Sequence, residues 1–183
     1  MLTASKLKKT NIVEYLLYMW QIEDLMRALQ FDMNQIDKQL ISSDNAEERK
    51  VEYGWYESII EMMLIENKRD KGHLQININV LDDLNEFHLL LLKSGKAPEY
   101  NAKFFFVLPM INQLRMKSEE GLSDIELCFN FQYLFMLMKI KKTEISKETA
   151  DIQIELAKLL VLLTKNYHAY QHRSEERRVG KEC

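Results

Sequence analysis

The sequence is poor in the residues that interrupt regular structure. Its 183 residues include five glycines and two prolines, whereas sheet proteins use both residue types at many turns. No apolar run reaches the ~18 residues that a membrane-spanning helix needs. The two cysteines, Cys128 and Cys183, could form one bridge at most, and the apolar helical stretch around Cys128 favours a reduced, buried thiol. The composition therefore predicts a few long helices, with no membrane span and no disulfide framework.

The chain also carries little net charge. Lysine and arginine number 25 against 28 aspartates and glutamates, for a net charge of -3. This balance excludes a bulk electrostatic attraction to nucleic acid. The opening segment KLKKTNIVEYLLYMW has the basic-then-apolar order of a signal peptide, but Glu14 interrupts the apolar run and no small-residue cleavage site follows. We therefore expect a cytoplasmic protein with neither a nucleic-acid nor a membrane partner.

Apolar residues recur every three or four positions along most of the chain, which is the spacing of amphipathic helices. The pattern predicts an all-α, single-domain bundle of about six long antiparallel helices and one short helix, over residues 1–172. The predicted helices cover about residues 10–31, 32–41 (the short one), 45–68, 73–94, one that begins at Pro98 and kinks at Pro109, 123–141 and 146–170.

Polar residues and glycines mark the expected helix ends. Asp32 with Gln35, Asp44 with Glu47 and Ser123 with Glu126 have the spacing of capping boxes. Three of the five glycines, Gly72, Gly95 and Gly121, lie at predicted junctions, where a left-handed backbone conformation is useful. Gly54 is different, because it lies in mid-helix beside Trp55 and predicts a close helix crossing or an aromatic contact with a neighbour.

The final segment, RSEERRVGKEC over residues 173–183, lacks this periodicity. It resembles, residue for residue, the translation of a common short-read sequencing adapter. We therefore predict a non-native tail, and we base no functional argument on it.

The most unusual polar residue in the first predicted helix is Glu23, which lies on its apolar face with Arg27 one turn later. A buried carboxylate needs a partner, because leaving it unpaired is very costly. One interpretation is an intrahelical Glu23–Arg27 pair at a partly exposed seam. The other is a polar pocket in which Arg27 is available for an anionic ligand.

His73 and His88 both lie at or beside the apolar face of the fourth predicted helix. Their separation of fifteen residues corresponds to about 22 Å along a helix, so they cannot share a metal ion. Glu86 and His88 also lack the Glu-x-x-His spacing of di-iron bundles. We therefore expect core or seam histidines, no metal site and no cofactor, and we keep a pocket that contains these histidines as the alternative.

Aromatic and methionine side chains are the remaining candidates. Tyr18, Trp20, Trp55 and Tyr56 could anchor a protein interface, since aromatic residues are common anchors. Ten methionines and the FFF of residues 104–106 could line an adaptable groove, although filling gaps in a helical core is the simpler interpretation. No phosphate loop, nucleophile elbow or paired-cysteine motif is present in the sequence.

Four segments resemble an uncharacterised family of bacterial proteins that is catalogued only as a domain of unknown function. They are KTNIVEYLLYMWQIEDLMRA, KGHLQININV, FHLLLLKSGK and KKTEISKET, and the resemblance extends over about residues 2–170. It implies a small, all-helical cytoplasmic protein. It implies no activity, substrate or catalytic residue.

Two functions remain open at this point. The first is a non-enzymatic helical protein that binds a protein partner or itself, for which a homodimer is the simplest form. The alternative is a bundle that binds a small ligand or has enzymatic activity, with a polar pocket around Glu23, Arg27, His73 and His88. The absence of spaced catalytic groups favours the first.

Overall fold

The computed structural model describes residues 3–179, and it describes the side chains of residues 3–172. Over that range the chain is helical and contains no strand, so the predicted all-α class is confirmed. The helices are α1 (Thr3–Thr10), α2 (Ile12–Ala28), α3 (Met33–Leu40), α4 (Ala46–Ile65), α5 (Gln75–Ser94), α6 (Pro98–Arg115), α7 (Asp124–Ile140) and α8 (Lys147–Val179).

The first predicted helix corresponds to α2, which Asn11 separates from the preceding α1. Asn11 has an extended backbone, with φ -154°, and its side chain accepts a hydrogen bond from the Glu14 N–H at 3.2 Å. A side-chain amide that caps the next helix in this way competes with continuation of the preceding one. Helix α1, over Thr3–Thr10, was not predicted.

The predicted caps are confirmed at two of three positions. Asp32 accepts from the Asn34 N–H at 2.9 Å, and Ser123 accepts from the Glu126 N–H at 3.1 Å. The prediction for Asp44 is wrong by one residue, because the cap of α4 is Asn45, whose side chain accepts from two backbone N–H groups. Asn is as good a cap as Asp, and the sequence pattern could not separate the neighbours.

The chain divides into two compact units, Met1–Val80 and Leu81–Cys183, with the boundary inside α5. In the first unit α2 packs against α1 and α4, and α3 packs against α4. Buried apolar residues of this unit include Leu16, Met26, Ile36, Met63 and Leu74. The single domain expected over residues 1–172 stays a prediction.

In the second unit α6, α7 and α8 each pack against the other two. The largest fully buried side chains here are those of Tyr100, Phe129, Leu84, Ile111, Ile125, Leu127 and Leu156. At the start of α5, which belongs to the first unit, Ile76 is 44% exposed, whereas Asn77 is completely buried. A polar residue therefore occupies a position that hydropathy alone would assign to an apolar one.

Helix α8 runs to Val179, about nine residues beyond its predicted end at residue 170. The expected tail of residues 173–183 is thus helical in its backbone as far as residue 179, and its side chains and last four residues lie outside the described residues. Its non-native origin stays a prediction. No helix in the described part of the chain is long and apolar enough to cross a bilayer.

Candidate functional site

The first unit contains a buried carboxylate, Glu23 of α2, which is inaccessible to solvent. Its Oε2 lies 2.6 Å from Nδ1 of His73, and its Oε1 accepts hydrogen bonds from the Leu74 N–H at 3.0 Å and from the Asn77 side-chain amide at 2.7 Å. An ionised carboxylate only accepts, so this contact requires the proton on Nδ1 of His73. Glu23 is therefore held by three donors that lie more than forty residues away in the sequence.

The start of α5 explains why a carboxylate fits here. Leu74 precedes the first residue of α5, and the first N–H groups of a helix have no partner within the helix. The positive end of the helix dipole also stabilises a nearby anion. Glu23 thus caps α5 from a different helix, and its negative charge, after burial itself, raises the pKa of Tyr15.

The aromatic rings beside Glu23 complete the cluster. The His73 ring stacks on Trp20 with a centroid separation of 4.1 Å and an interplanar angle of 13°. The Tyr15 hydroxyl donates to Asn77 Oδ1 at 3.4 Å. Stacking and hydrogen bonding together fix the orientation of the imidazole. Sequence reasoning missed Tyr15, although Asn77 between the two histidines was a signal that this face is polar.

Arg27 forms different contacts from those expected. It pairs with Asp24 at 2.7 Å and not with Glu23, and its Nε donates to the Lys68 carbonyl at 3.1 Å. Its terminal nitrogen also donates to the Gly72 carbonyl. The expected Glu23–Arg27 pair is therefore wrong, because each side chain finds donors or acceptors in the segment that joins α4 to α5. Arg27 thus binds two carbonyl groups within that segment.

The polar side chains of this cluster mainly stabilise the fold. Both oxygens of Glu23 and the guanidinium of Arg27 are occupied by groups of the chain itself. A ligand would have to displace buried hydrogen bonds, each of which is costly to leave unmade. The structure brings Glu23 and His73 together, and Arg27 of α2 contacts the α4–α5 segment that contains His73. Ligand binding by these residues stays a prediction.

His88 lies in the second unit and is fully buried there. Its Nδ1 is 2.7 Å from the Tyr100 hydroxyl, and its Nε2 is 3.9 Å from Asp124 Oδ2, which is too long for a direct hydrogen bond. The interaction with His88, with a smaller effect of Arg115, holds the pKa of Asp124 below its usual range. Asp124, at the start of α7, thus lies beside the buried imidazole of His88 and forms an ion pair with Arg115.

The next question is whether the described side chains could bind a metal ion or provide a reactive thiol. Among residues 3–172 no three His, Cys, Asp or Glu side chains come close enough to hold a metal ion. Cys128 is buried, and burial raises the pKa of its thiol. A buried thiol of this kind is a weak nucleophile and a poor metal ligand.

Three of the four predicted interface aromatics converge. Trp55 stacks on Tyr18 with centroids 6.5 Å apart, and Tyr56 meets Trp55 edge-on at 4.9 Å. Trp20 is only 2% exposed and instead stacks on His73. Of the two alternatives predicted at Gly54, the close helix crossing is absent, since a Cβ placed there would meet nothing within 4 Å, whereas the aromatic contact is present, because Trp55 stacks on Tyr18 of α2. The interface role of the four aromatics stays a prediction.

The second unit also has a groove, the interpretation of the FFF segment that the sequence analysis kept as the less simple one, and Phe106 of that segment lines it. It lies between α6 and α8 and has a volume of about 740 Å³. Its floor is apolar and its rim is charged, and the lining side chains are Ala102, Phe106, Ala157, Val161 and Leu162 with Glu99, Lys103, Glu155 and Lys158. The available signal was the FFF segment, of which Phe104 is buried while Phe105 and Phe106 are 64% and 60% exposed.

These features define an all-helical protein whose buried polar groups serve mainly to hold the fold and whose exposed apolar surface includes a groove. The chain belongs to the family described as domain of unknown function DUF4924, which matches residues 1–175. The family resemblance inferred from the sequence is therefore confirmed. No curated protein and no solved structure matches the chain.

Proposed function

We propose that this protein acts in the cytoplasm by binding protein chains, in the first place a second copy of itself, and that it is not an enzyme. The observation that carries the proposal is the apolar groove between α6 and α8. Phe106 and Val161 in this groove are 60% and 64% exposed. Contiguous exposed apolar surface with a polar rim is typical of protein-interaction sites.

The composition of the groove favours a second copy as the occupant. A two-fold contact pairs one patch with itself, so the patch must be self-complementary. The groove offers small side chains, Ala102 and Ala157, beside the projecting ring of Phe106. Phe106 of each copy can therefore lie over the alanines of the other.

The rim charges are consistent with the same arrangement. Two carboxylates, Glu99 and Glu155, alternate with two ammonium groups, Lys103 and Lys158. Lys103 and Lys158 both pair with Glu155 within the chain, so the rim is close to neutral. Opposite charges from two copies can meet across a two-fold axis, which would specify orientation more than it would add affinity.

Two further observations support the remaining parts of the proposal. Glu23 and Arg27 are occupied by the chain's own groups, which leaves no free acid and base pair at that cluster. Cys128 is a buried free thiol, and free cysteines are typical of reducing compartments such as the cytosol.

Sedimentation velocity over a wide concentration range tests the proposal. We expect the wild type to dimerise and Val161→Glu to remain monomeric, because a carboxylate in the apolar contact would be desolvated. Ile140→Glu is the matched control: Ile140 is 67% exposed at the end of α7 and does not line the groove. It should dimerise like the wild type.

Circular dichroism establishes that all three proteins are folded before they are compared. A wild type that stays monomeric at every concentration contradicts the proposal. So does a Val161→Glu variant that dimerises with unchanged affinity, since it would place the contact elsewhere.

A further inference from the structure

One ring nitrogen of His73 is not used by the fold. Glu23 holds Nδ1 at 2.6 Å, whereas the other ring nitrogen, Nε2, forms no hydrogen bond with any of the side chains or backbone groups of residues 3–172. Nε2 is also not buried, and the side chain of His73 is 31% exposed. The imidazole is therefore covered on its Nδ1 side and open to solvent at Nε2.

The contacts of the ring determine both its orientation and the position of its proton. The proton lies on Nδ1, toward the carboxylate of Glu23, so the lone pair of the neutral imidazole lies on Nε2. Trp20 stacks on the ring at 4.1 Å and restricts its rotation. A carboxylate behind an imidazole fixes the tautomer and stabilises the positive charge that develops when the other nitrogen forms a bond. Nε2 of His73 is thus a preoriented nucleophile.

The segment before His73 is basic. Residues 68–71 are Lys-Arg-Asp-Lys, with three positive charges and one negative charge. The ammonium group of Lys68 lies over Gly72, the neighbour of His73, because its Nζ is 3.6 Å from the place where a Cβ of Gly72 would be. The carboxylate of Glu66, just before this segment, accepts the first backbone N–H of α5. The charges around His73 therefore favour an anionic reaction partner over a neutral one.

We propose that His73 accepts a phosphoryl group on Nε2 from a phosphoramidate or an acyl phosphate. The lone pair of Nε2 forms the new N–P bond, and the bond from phosphorus to the leaving group breaks, with its electron pair departing on that group. The leaving group is a neutral amine from an N-protonated phosphoramidate or a carboxylate from an acyl phosphate, so no proton has to be supplied. The ring becomes cationic and keeps its proton on Nδ1, where Glu23 stabilises it. Such a site is modified without turnover, which agrees with a protein that is not an enzyme.

Incubation of the full chain with phosphoramidate tests the proposal, because this reagent transfers its phosphoryl group to imidazoles without an enzyme. Peptide mass spectrometry at alkaline pH, where phosphohistidine survives, measures the rate at each histidine. His172 is the internal control, since it is exposed and no carboxylate contacts its ring in the described part of the chain. We expect His73 to react at least about tenfold faster than His172.

Acetyl phosphate forms a parallel arm that distinguishes the two donor classes. Rates at His73 are divided by those at His172 for each reagent. A larger ratio with acetyl phosphate indicates an acyl phosphate as the natural donor, and a larger ratio with phosphoramidate indicates a phosphohistidine.

Glu23 is a positioning residue in this proposal, and the nitrogen that carries the phosphoryl group tests its role. Phosphorus NMR distinguishes the two isomers, and we expect His73 to be phosphorylated on Nε2 alone. Glu23→Gln still occupies Nδ1 but lacks the charge, so it should slow the reaction at least about tenfold and still give the Nε2 isomer. Glu61→Gln removes an exposed charge from α4 and should react as the wild type does. A Glu23→Gln product with both isomers would show that Glu23 only packs the ring.

The basic segment is tested with a neutral reagent, diethyl pyrocarbonate, which also attacks imidazole nitrogens. The ratio of His73 to His172 should be larger with phosphoramidate than with diethyl pyrocarbonate, because only the former is anionic. Lys68→Gln should lower the phosphoramidate ratio about twofold or more. Lys50→Gln, exposed in α4, should leave it unchanged.

Three outcomes with the wild type would overturn the proposal, whether or not the variants fold. They are no phosphoryl group on His73, equal rates at His73 and His172, and no larger ratio with phosphoramidate than with diethyl pyrocarbonate. The monomeric Val161→Glu variant should still be modified at His73, so failure of self-association and failure of this site are distinguishable.

Discussion

Glu23 is an acidic side chain with no exposure to solvent, and the stability of the fold depends on how its oxygens are occupied. Removing a buried charge from water costs several kcal/mol unless hydrogen bonds replace the lost hydration. Three donors do so here, and two of them belong to the first turn of α5 and the residue before it. Glu23 therefore connects α2 to the start of α5.

We expect Glu23→Gln to lower the free energy of unfolding by about 1–3 kcal/mol. Glutamine has the same shape, but its amide nitrogen must face one of the three donors, and that donor would stay buried without an acceptor. Urea unfolding measures the change. Glu61→Gln removes an exposed charge from α4 and should stay within about 0.5 kcal/mol of the wild type. Equal urea midpoints for Glu23→Gln and the wild type would show that the cluster does not stabilise the fold.

At the scale of whole elements, the effect of a glycine on stability depends on where it lies relative to the helix. Gly95 follows α5 with φ 63°, in the left-handed region that side chains disfavour. Gly54 lies inside α4, where glycine only adds freedom to the unfolded chain. Lys142 adopts φ 53° just after α7, so this helix ends in a left-handed residue without glycine, a position that glycine counting could not find.

Replacing Gly54 by alanine should raise the free energy of unfolding by about 0.5–1 kcal/mol. The added Cβ would meet nothing within 4 Å, so no packing cost opposes the gain in helix propensity. The measurement is the shift of the thermal or urea midpoint.

Gly95→Ala is the matched control for this prediction. A Cβ at Gly95 also meets nothing within 4 Å, but the backbone has φ 63°, so this variant should lose about 1–2 kcal/mol. The same chemical change with opposite signs isolates the backbone effect. A Gly54→Ala variant that is less stable than the wild type would indicate a close packing partner at this position.

For the molecule as a whole, the sequence predicts the helices well and their contacts poorly. Periodicity and caps are local, which is why Asp32, Pro98 and Ser123 mark helix starts as expected. The partners of Glu23 lie 50 to 54 residues away in the sequence. The spacing of apolar residues predicts which face of its own helix a residue occupies, but it does not predict which other helix packs against that face. Arg27 was the nearest candidate in sequence, yet acceptors from the α4–α5 segment take its guanidinium.

The same limit applies to the aromatic cluster of Tyr18, Trp55 and Tyr56 and to the groove between α6 and α8. Tyr18, Trp55 and Tyr56 could be named as aromatic residues of interest, but their convergence with Glu52 depends on the packing of α2 against α4. The groove likewise requires α6 to lie beside α8. Each of the two is built from residues of different helices, so no short sequence motif could have predicted it.

The response of the molecule to acid follows from its carboxylates. Asp124 has a lowered pKa in the folded state, chiefly through His88. A carboxyl whose folded pKa lies below its unfolded value of about 4 stabilises the fold above that value, and this contribution is lost as the pH falls through the folded pKa. Stability should therefore be retained near neutral pH and decline below about pH 4.

Replacing Asp124 by asparagine removes this titrating group and keeps its size. We expect urea midpoints of Asp124→Asn to lie below those of the wild type at pH 7 and to approach them as the pH falls below about 4 toward the lowered folded pKa of Asp124, because the wild-type carboxyl then also loses its charge. Asp82→Asn removes the same charge from an exposed position of α5 and serves as the control. If the difference between Asp124→Asn and the wild type did not shrink as the pH falls from 7 to below about 4, the loss would come from packing at the start of α7 and not from the ionised carboxylate of Asp124.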